Sequence, residues 1–130
     1  MELKLELVPL PVADVDRAKA FYADTLGFTV DVDVVVMDGV RVVQLTPPGS
    51  ACSIGFGTGV PAYQGEPGSV RGLHLVVDGI DEARAALVDR GVDVGSVEDV
   101  GRGVKYAGFT DPDGNGWTLQ EMPWRTGEAF

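Results

Sequence analysis

Residues 12–24 of this chain return, in kind and in order, at residues 77–89. Val12 matches Val77, Val15 matches Ile80, Asp16 matches Asp81, Ala18 matches Ala83, Ala20 matches Ala85 and Asp24 matches Asp89, each 65 positions on. A second block keeps the same spacing: Pro47 with Pro112, Gly49 with Gly114, Ser53 with Thr118 and Ile54 with Leu119. The spacing slips by one only at Gly27 and Gly91, where a helix-to-strand loop absorbs a residue. Two blocks in one register, with one order of elements, require a fold built from two equivalent modules.

Each repeat reads as β-α-β-β-β. Residues 3–12 alternate and then turn apolar, as in a strand that runs from a half-exposed to a buried position. Asp14 precedes Val15, Ala18, Phe21, Tyr22 and Leu26, which share one helical face, and Gly27 follows where a left-handed cap sits. The valine-rich stretch 28–45 is broken by Asp38-Gly39, a hairpin dipeptide. Beyond Pro47-Pro48-Gly49, residues 51–56 form a fourth strand. Glycines and prolines then mark a linker, after which a strand at 73–77, a helix from Ile80 and further strands to residue 122 repeat the pattern. The class is α+β. The expected organisation is a single domain, with module one at 1–57, the linker at 58–71, module two at 72–123 and a tail at 124–130.

A hydrophobic fraction of 45% over 130 residues suffices for a core without disulfide or metal staples. The formal charge of −10 repels phosphate backbones and anionic membranes, which argues against nucleic acid and membrane partners and favours neutral or cationic small molecules. The lone Cys52 closes no intrachain disulfide, and Met1–Leu10 lacks the long apolar run of a signal peptide. A cytoplasmic location is the expectation.

Two motifs carry a resemblance. Val12-Ala13-Asp14-Val15-Asp16-Arg17-Ala18 leads into Phe21-Tyr22 and Leu26-Gly27-Phe28, and Phe109-Thr110-Asp111-Pro112-Asp113-Gly114-Asn115 precedes the last strand. Together with the duplicated pattern, which covers nearly the whole chain, they resemble the vicinal oxygen chelate superfamily, the glyoxalase/bleomycin-resistance/dioxygenase proteins. The resemblance implies curved mixed sheets that enclose one cleft, and a homodimer, in some members with modules exchanged. It also implies the positions of a divalent metal's ligands, on the first and last strands of each module. Counting back from Val15 gives Leu7, and the same count from Ile80 gives Gly72; three residues past Asn115 lies Thr118, whose repeat partner is Ser53. Leucine and glycine have no coordinating side chain, and hydroxyls without carboxylates are poor ligands. No metal and no cofactor is therefore expected, and a metal-dependent glyoxalase or dioxygenase is disfavoured. Strand alternation turns Glu6 and Glu121 to the faces opposite Leu7 and Thr118.

His74, the one histidine, lies two residues past Gly72 and so shares the cleft side, where it is a candidate acid/base or hydrogen-bonding group; the plainer reading is a polar residue without chemistry. Gln120 falls on the same side by the same count from Thr118. Tyr63, Tyr106, Trp117 and Phe56 are candidate aromatic walls, with ordinary core packing as the plainer reading, and Tyr63 in the linker is placed to cover the cleft mouth as a lid. Gly55, Gly57 and Gly72 leave space in the cleft. The acidic stretch 111–116 reads as a tight turn and not as a calcium loop. The expected ligand-binding set is Leu7, Ser53, Gly55, Tyr63, Gly72, His74, Tyr106, Thr118 and Gln120. The expected function is metal-free binding of a small aromatic or cationic molecule. The alternatives are a metal-independent isomerase or lyase using His74, and a divalent-metal lyase or dioxygenase drawing shifted ligands from Glu6, His74, Gln120 and Glu121.

Overall fold

Asp14 starts the first helix as its position requires, its Oδ1 accepting the backbone N–H of Arg17 at 3.0 Å. The structure is a computed structural model that describes residues 1–125, so most of the expected tail, residues 126–130, lies outside the described residues. Two compact units are present, one of residues 1–69 with 112–115 and one of residues 70–111 with those from Gly116 on. Among the described residues no helix is long and apolar enough to cross a membrane.

The first unit contains β1 (Leu7–Pro9), α1 (Val15–Ala20, widening into a π-helical stretch Phe21–Thr25), β2 (Thr29–Met37), β3 (Val40–Thr46), β4 (Ser53–Thr58) and a 3-10 turn, Pro61–Tyr63. The sheet order is β1-β4-β3-β2, with β1 parallel to β4 and the other pairs antiparallel. Residues 3–6 are not part of β1, which is shorter than the strand expected over 3–12; Pro9 and Pro11 supply no N–H to extend the ladder. One face of the sheet is core: Val43, Leu45, Ile54 and Phe56 are buried with Leu10, Tyr22 and Phe28. The Tyr22 ring lies 5.5 Å from Phe28 and 6.0 Å from Phe56. The opposite face is open to a hollow at Gln44, Thr46 and Ser53 and is covered by Tyr63 at Gly55 and Gly57. Strand β2 forms the sheet edge and exposes Val34, Val35, Val36 and Met37.

Charged groups tie the helix to this sheet. Asp33 accepts from Arg41 Nε and Nη2, both at 3.0 Å, and from Lys19 Nζ at 2.7 Å, while Arg41 Nη1 reaches Asp16 at 2.7 Å. The turn at Pro112–Asn115 belongs to this unit and spends its polar groups on it. Asp113 Oδ1 accepts the Ala13 N–H at 3.0 Å and Arg17 Nη2 at 2.9 Å, and Asn115 Nδ2 donates to the Pro11 carbonyl at 3.2 Å.

The second unit contains β5 (Leu73–Val76), α2 (Ile80–Asp89), β6 (Glu98–Gly101), β7 (Val104–Thr110) and β8 (Gly116–Glu121), in sheet order β5-β8-β7-β6 with β5 parallel to β8. Its core holds Ile80, Ala107, Phe109, Trp117 and Leu119, and the Phe109 and Trp117 rings stack at 6.4 Å. Trp117 and Phe56 are therefore core residues and not walls of an open face. Helix α2 begins at Gly79, which has no side chain to cap it. Glu121 Oε1 caps it instead, accepting the Ile80 N–H at 3.0 Å.

The 65-residue spacing holds for the helices and last strands but not for the first strands. In the first unit Leu7 pairs with Ser53 and Leu10 N–H bonds to Gly55 O; in the second His74 pairs with Thr118 and Val77 N–H bonds to Gln120 O. The counterpart of Leu7 is thus His74, not Gly72, and Val77 matches Leu10, not Val12. The connection from Val77 to Ile80 is two residues shorter than that from Leu10 to Val15, so counting back from the helix overshoots the strand.

The hydrogen bonds from Arg41 and Lys19 hold the Asp33 carboxyl at about 2, below its ordinary 3.8. A depressed carboxyl contributes stability that is complete above its unfolded value and is lost as pH falls through its folded one. Asp33→Asn should lower the melting temperature at pH 7 by a few degrees, for a loss of about 1 kcal/mol. Circular-dichroism melts should show the difference from wild type shrinking between pH 4 and pH 2.

Candidate functional site

Along β5, β7 and β8 the side chains that alternate with the buried Ala107, Phe109, Trp117 and Leu119 are His74, Tyr106, Gly108, Thr118 and Gln120. His74 stands opposite Thr118, Thr118 opposite Gly108, and Tyr106 opposite Gln120. Gly108 has no side chain, and a hollow of about 510 Å³ opens there, lined by His74, Ser96, Glu98, Tyr106 and Thr118. Its volume suits a small organic molecule. One wall is the 94–96 loop, which Arg84 holds by donating to the carbonyls of Val94 at 3.0 Å and Gly95 at 2.7 Å.

His74 Nδ1 lies 2.6 Å from the Gly72 carbonyl oxygen. A carbonyl only accepts, so Nδ1 carries the proton and Nε2 is left as the acceptor of the neutral ring. The imidazole meets the Tyr106 ring edge-on, with centroids 5.9 Å apart. Gly72 precedes β5 at φ +79°, and a Cβ there would meet nothing within 4 Å. The position faces open space, and its carbonyl orients His74.

In the first unit the expected space above Gly55 and Gly57 is already filled. A Cβ at Gly55 would stand 2.8 Å from Leu7 Cδ1 and 2.9 Å from the Tyr63 hydroxyl, and one at Gly57 would lie 3.3 Å from Tyr63 Cδ2. Tyr63 rests on the glycine strip, and burial pushes its phenol upward from the ordinary value. Beside it lies a hollow of about 500 Å³ lined by Glu6, Asp31, Gln44, Thr46 and Ser53. Gln44 Nε2 donates to Glu6 Oε2 at 3.1 Å. The Thr46 hydroxyl donates to the Asp31 carboxylate, so Ser53, 2.7 Å away, donates to Thr46. Glu6 falls on this open side, contrary to the alternation argument, because it precedes β1 and strand periodicity does not bind it.

The nine expected residues divide between the units. Leu7, Ser53, Gly55 and Tyr63 gather on the open face of the first sheet; His74, Tyr106, Thr118 and Gln120 gather on that of the second, with Gly72 behind His74. The sequence reading named Glu6 only as a candidate shifted metal ligand, and it missed Asp31, Gln44, Thr46, Ser96 and Glu98. Gln44 and Thr46 were signalled by their alternation with Val43 and Leu45, whereas a register shift between Val30 and Val32 hides Asp31.

The resemblance puts metal ligands on the first and last strands of each module, and the paired residues there are Leu7 with Ser53 in the first unit and His74 with Thr118 in the second. Neither a hydrocarbon with a hydroxyl nor a single imidazole with a hydroxyl fits such an ion. Glu121, a candidate shifted ligand, is committed to α2 and lies 3.9 Å from Lys105. Among the described residues no three His, Cys, Asp or Glu side chains group as a metal site.

The profile of the Glyoxalase/Bleomycin resistance protein/Dioxygenase superfamily matches residues 4–119. This chain belongs to that superfamily. Within the superfamily it is 35% identical to TnmS3, an antibiotic binding protein from Streptomyces sp. CB03234, over 93% of this chain and 97% of that one, with a TM-score of 0.80. A glyoxalase/bleomycin resistance protein from the same Streptomyces strain is 36% identical, covering 89% and 98%, with a TM-score of 0.74. A superfamily member from Sphaerobacter thermophilus DSM 20745 is 31% identical, covering 92% and 98%, at 0.79. Comparison with curated proteins gives no match.

The Gly72 contact predicts the tautomer. In long-range proton–nitrogen spectra recorded above the titration range of the ring, His74 should appear as the Nδ1–H form; a dominant Nε2–H pattern would contradict the assigned geometry.

Proposed function

We propose that this protein binds a small, partly aromatic organic molecule on the open face of the second sheet, without a metal. The observation that carries the reading is the convergence of His74, Tyr106 and Thr118 around a hollow of about 510 Å³, with Gln120 opposite Tyr106 on the ladder. That set has the composition of a recognition site: an aromatic edge, an imidazole acceptor, a hydroxyl and an amide, at fixed strand spacing. The antibiotic-binding relative supports the ligand class. The net charge of −10 favours ligands that are neutral or positive. The same proposal has the chain acting as a cytoplasmic homodimer. His74 also has the exposed acceptor nitrogen that proton transfer requires, which makes a metal-independent isomerase or lyase the second reading.

The test is thermal shift against a panel of aromatic antibiotics, followed by calorimetry on the hits. A ligand at about 100 times its Kd stabilises the protein by about 2.7 kcal/mol. His74→Ala and Tyr106→Ala should each weaken binding about tenfold, or about 1.4 kcal/mol. Binding that neither variant disturbs would move the site elsewhere, and ligand recovered chemically altered by wild type but not by His74→Ala would favour the second reading. Light scattering reads the oligomeric state.

A further inference from the structure

The strip at Gly55 and Gly57 is an unusual floor for a sheet face. At Gly57 any Cβ would collide with the backbone carbonyl of Arg41, so that glycine is demanded by the β3–β4 approach itself. Gly55 is different: the obstacles to a Cβ there are side-chain atoms, of Leu7 and Tyr63. The slot is therefore shaped for a ring, and the chain supplies its own.

Tyr63 holds that place by packing alone. Its backbone N–H bonds to the Val60 carbonyl within the 3-10 turn, but its hydroxyl has no hydrogen-bond partner among the described residues, although burial raises its pKa. The turn stands between Gly59 at φ +70° and Gly65 at φ +155°, in a stretch also broken by Pro67 and Gly68. A ring seated only by dispersion and apolar burial is exchangeable for another of similar size, provided the incomer has a further anchor to offset the advantage of a tethered occupant.

Such an anchor adjoins the slot. Gln44 pairs with Gly55 across the ladder, and Gln44 lines the hollow that also holds Glu6, Asp31, Thr46 and Ser53. Elsewhere in this unit the carboxylates of Asp16, Asp33 and Asp113 are met by Arg41, Lys19 and Arg17. The Glu6 and Asp31 contacts instead come from an amide and a hydroxyl, which leave their negative charge uncompensated.

We propose that the first sheet carries a second ligand seat, in which a planar aromatic cation stacks on the Gly55–Gly57 strip in place of Tyr63 and directs its positive end toward Glu6 and Asp31. Tyr63 is the selectivity element of that seat: it excludes rings that bring no cationic anchor. The seat lies wholly in the first unit and does not depend on the reading of the second sheet.

The probe is 9-aminoacridine, a planar fluorescent cation, titrated against wild type, Tyr63→Ala, the double variant Tyr63→Ala/Gly55→Val and the double variant Tyr63→Ala/His74→Ala. Removal of the resident ring should tighten binding at least about tenfold. Gly55→Val, which refills the slot, should abolish that gain, and His74→Ala should leave it intact. No gain in Tyr63→Ala, or a gain that survives Gly55→Val, overturns the proposal, and a gain lost with His74 assigns the acridine to the second sheet and overturns it as well. Wild type provides a check that does not rely on the folding of any variant. With the tyrosine rings isotopically labelled, saturating 9-aminoacridine should shift the Tyr63 ring resonances and leave those of the core Tyr22 in place; unmoved Tyr63 resonances overturn the exchange.

Discussion

The parallel pairing of first and last strands governs each module. Parallel neighbours cannot be joined by a tight turn, so the chain must travel through a helix and a hairpin before the last strand returns beside the first. That detour places the helix against one face of the sheet and buries it, and leaves the other face free of the helix. It also sets residues far apart in sequence side by side: Leu7 with Ser53, and His74 with Thr118. The hollows on both open faces depend on this pairing, as does the capping of α2 by Glu121 from the strand that closes the module.

The two modules share this plan and differ in what they do with it. On the first sheet the strip beneath the open face is glycine, and the linker folds back to fill it with Tyr63. On the second sheet the corresponding ladder carries Thr118 and Gln120, with His74 and Tyr106 beside them, and Thr118, His74 and Tyr106 border a hollow together with Ser96 and Glu98. The electrostatics diverge in the same way. Asp33, Arg41, Lys19 and Asp16 form a closed network that fastens helix to sheet, whereas Glu6 and Asp31, on the opposite face, keep their charge.

Much of this was legible in the sequence because the repeat fixes element order and the alternation fixes faces. Val43 and Leu45 alternating with Gln44 and Thr46 announce a half-buried strand, and the placement of Tyr106, Thr118 and Gln120 on a common face follows from period two alone. What failed was arithmetic across a connection. A spacing measured between helices was carried back into the first strands, where a loop two residues shorter had changed it, and Gly72 was named where His74 stands. Loop lengths leave no periodic signature, so the correction required the ladder itself. The role of Tyr63 was hidden for a related reason: a linker side chain has no period to show where it will land.

The exposed edge formed by β2 adds a constraint on how this protein behaves in bulk. Nine residues long, it ends in Val34, Val35, Val36 and Met37 on the surface, a length and composition that invite pairing with the same strand of another molecule. The gatekeepers are Asp31 and Asp33, spaced along the same strand, reinforced by the overall negative charge. Because Arg41 and Lys19 hold the Asp33 carboxyl at about 2, that gatekeeper keeps its charge through mild acidification, and the edge stays guarded over the whole range in which the network fastening helix to sheet is intact.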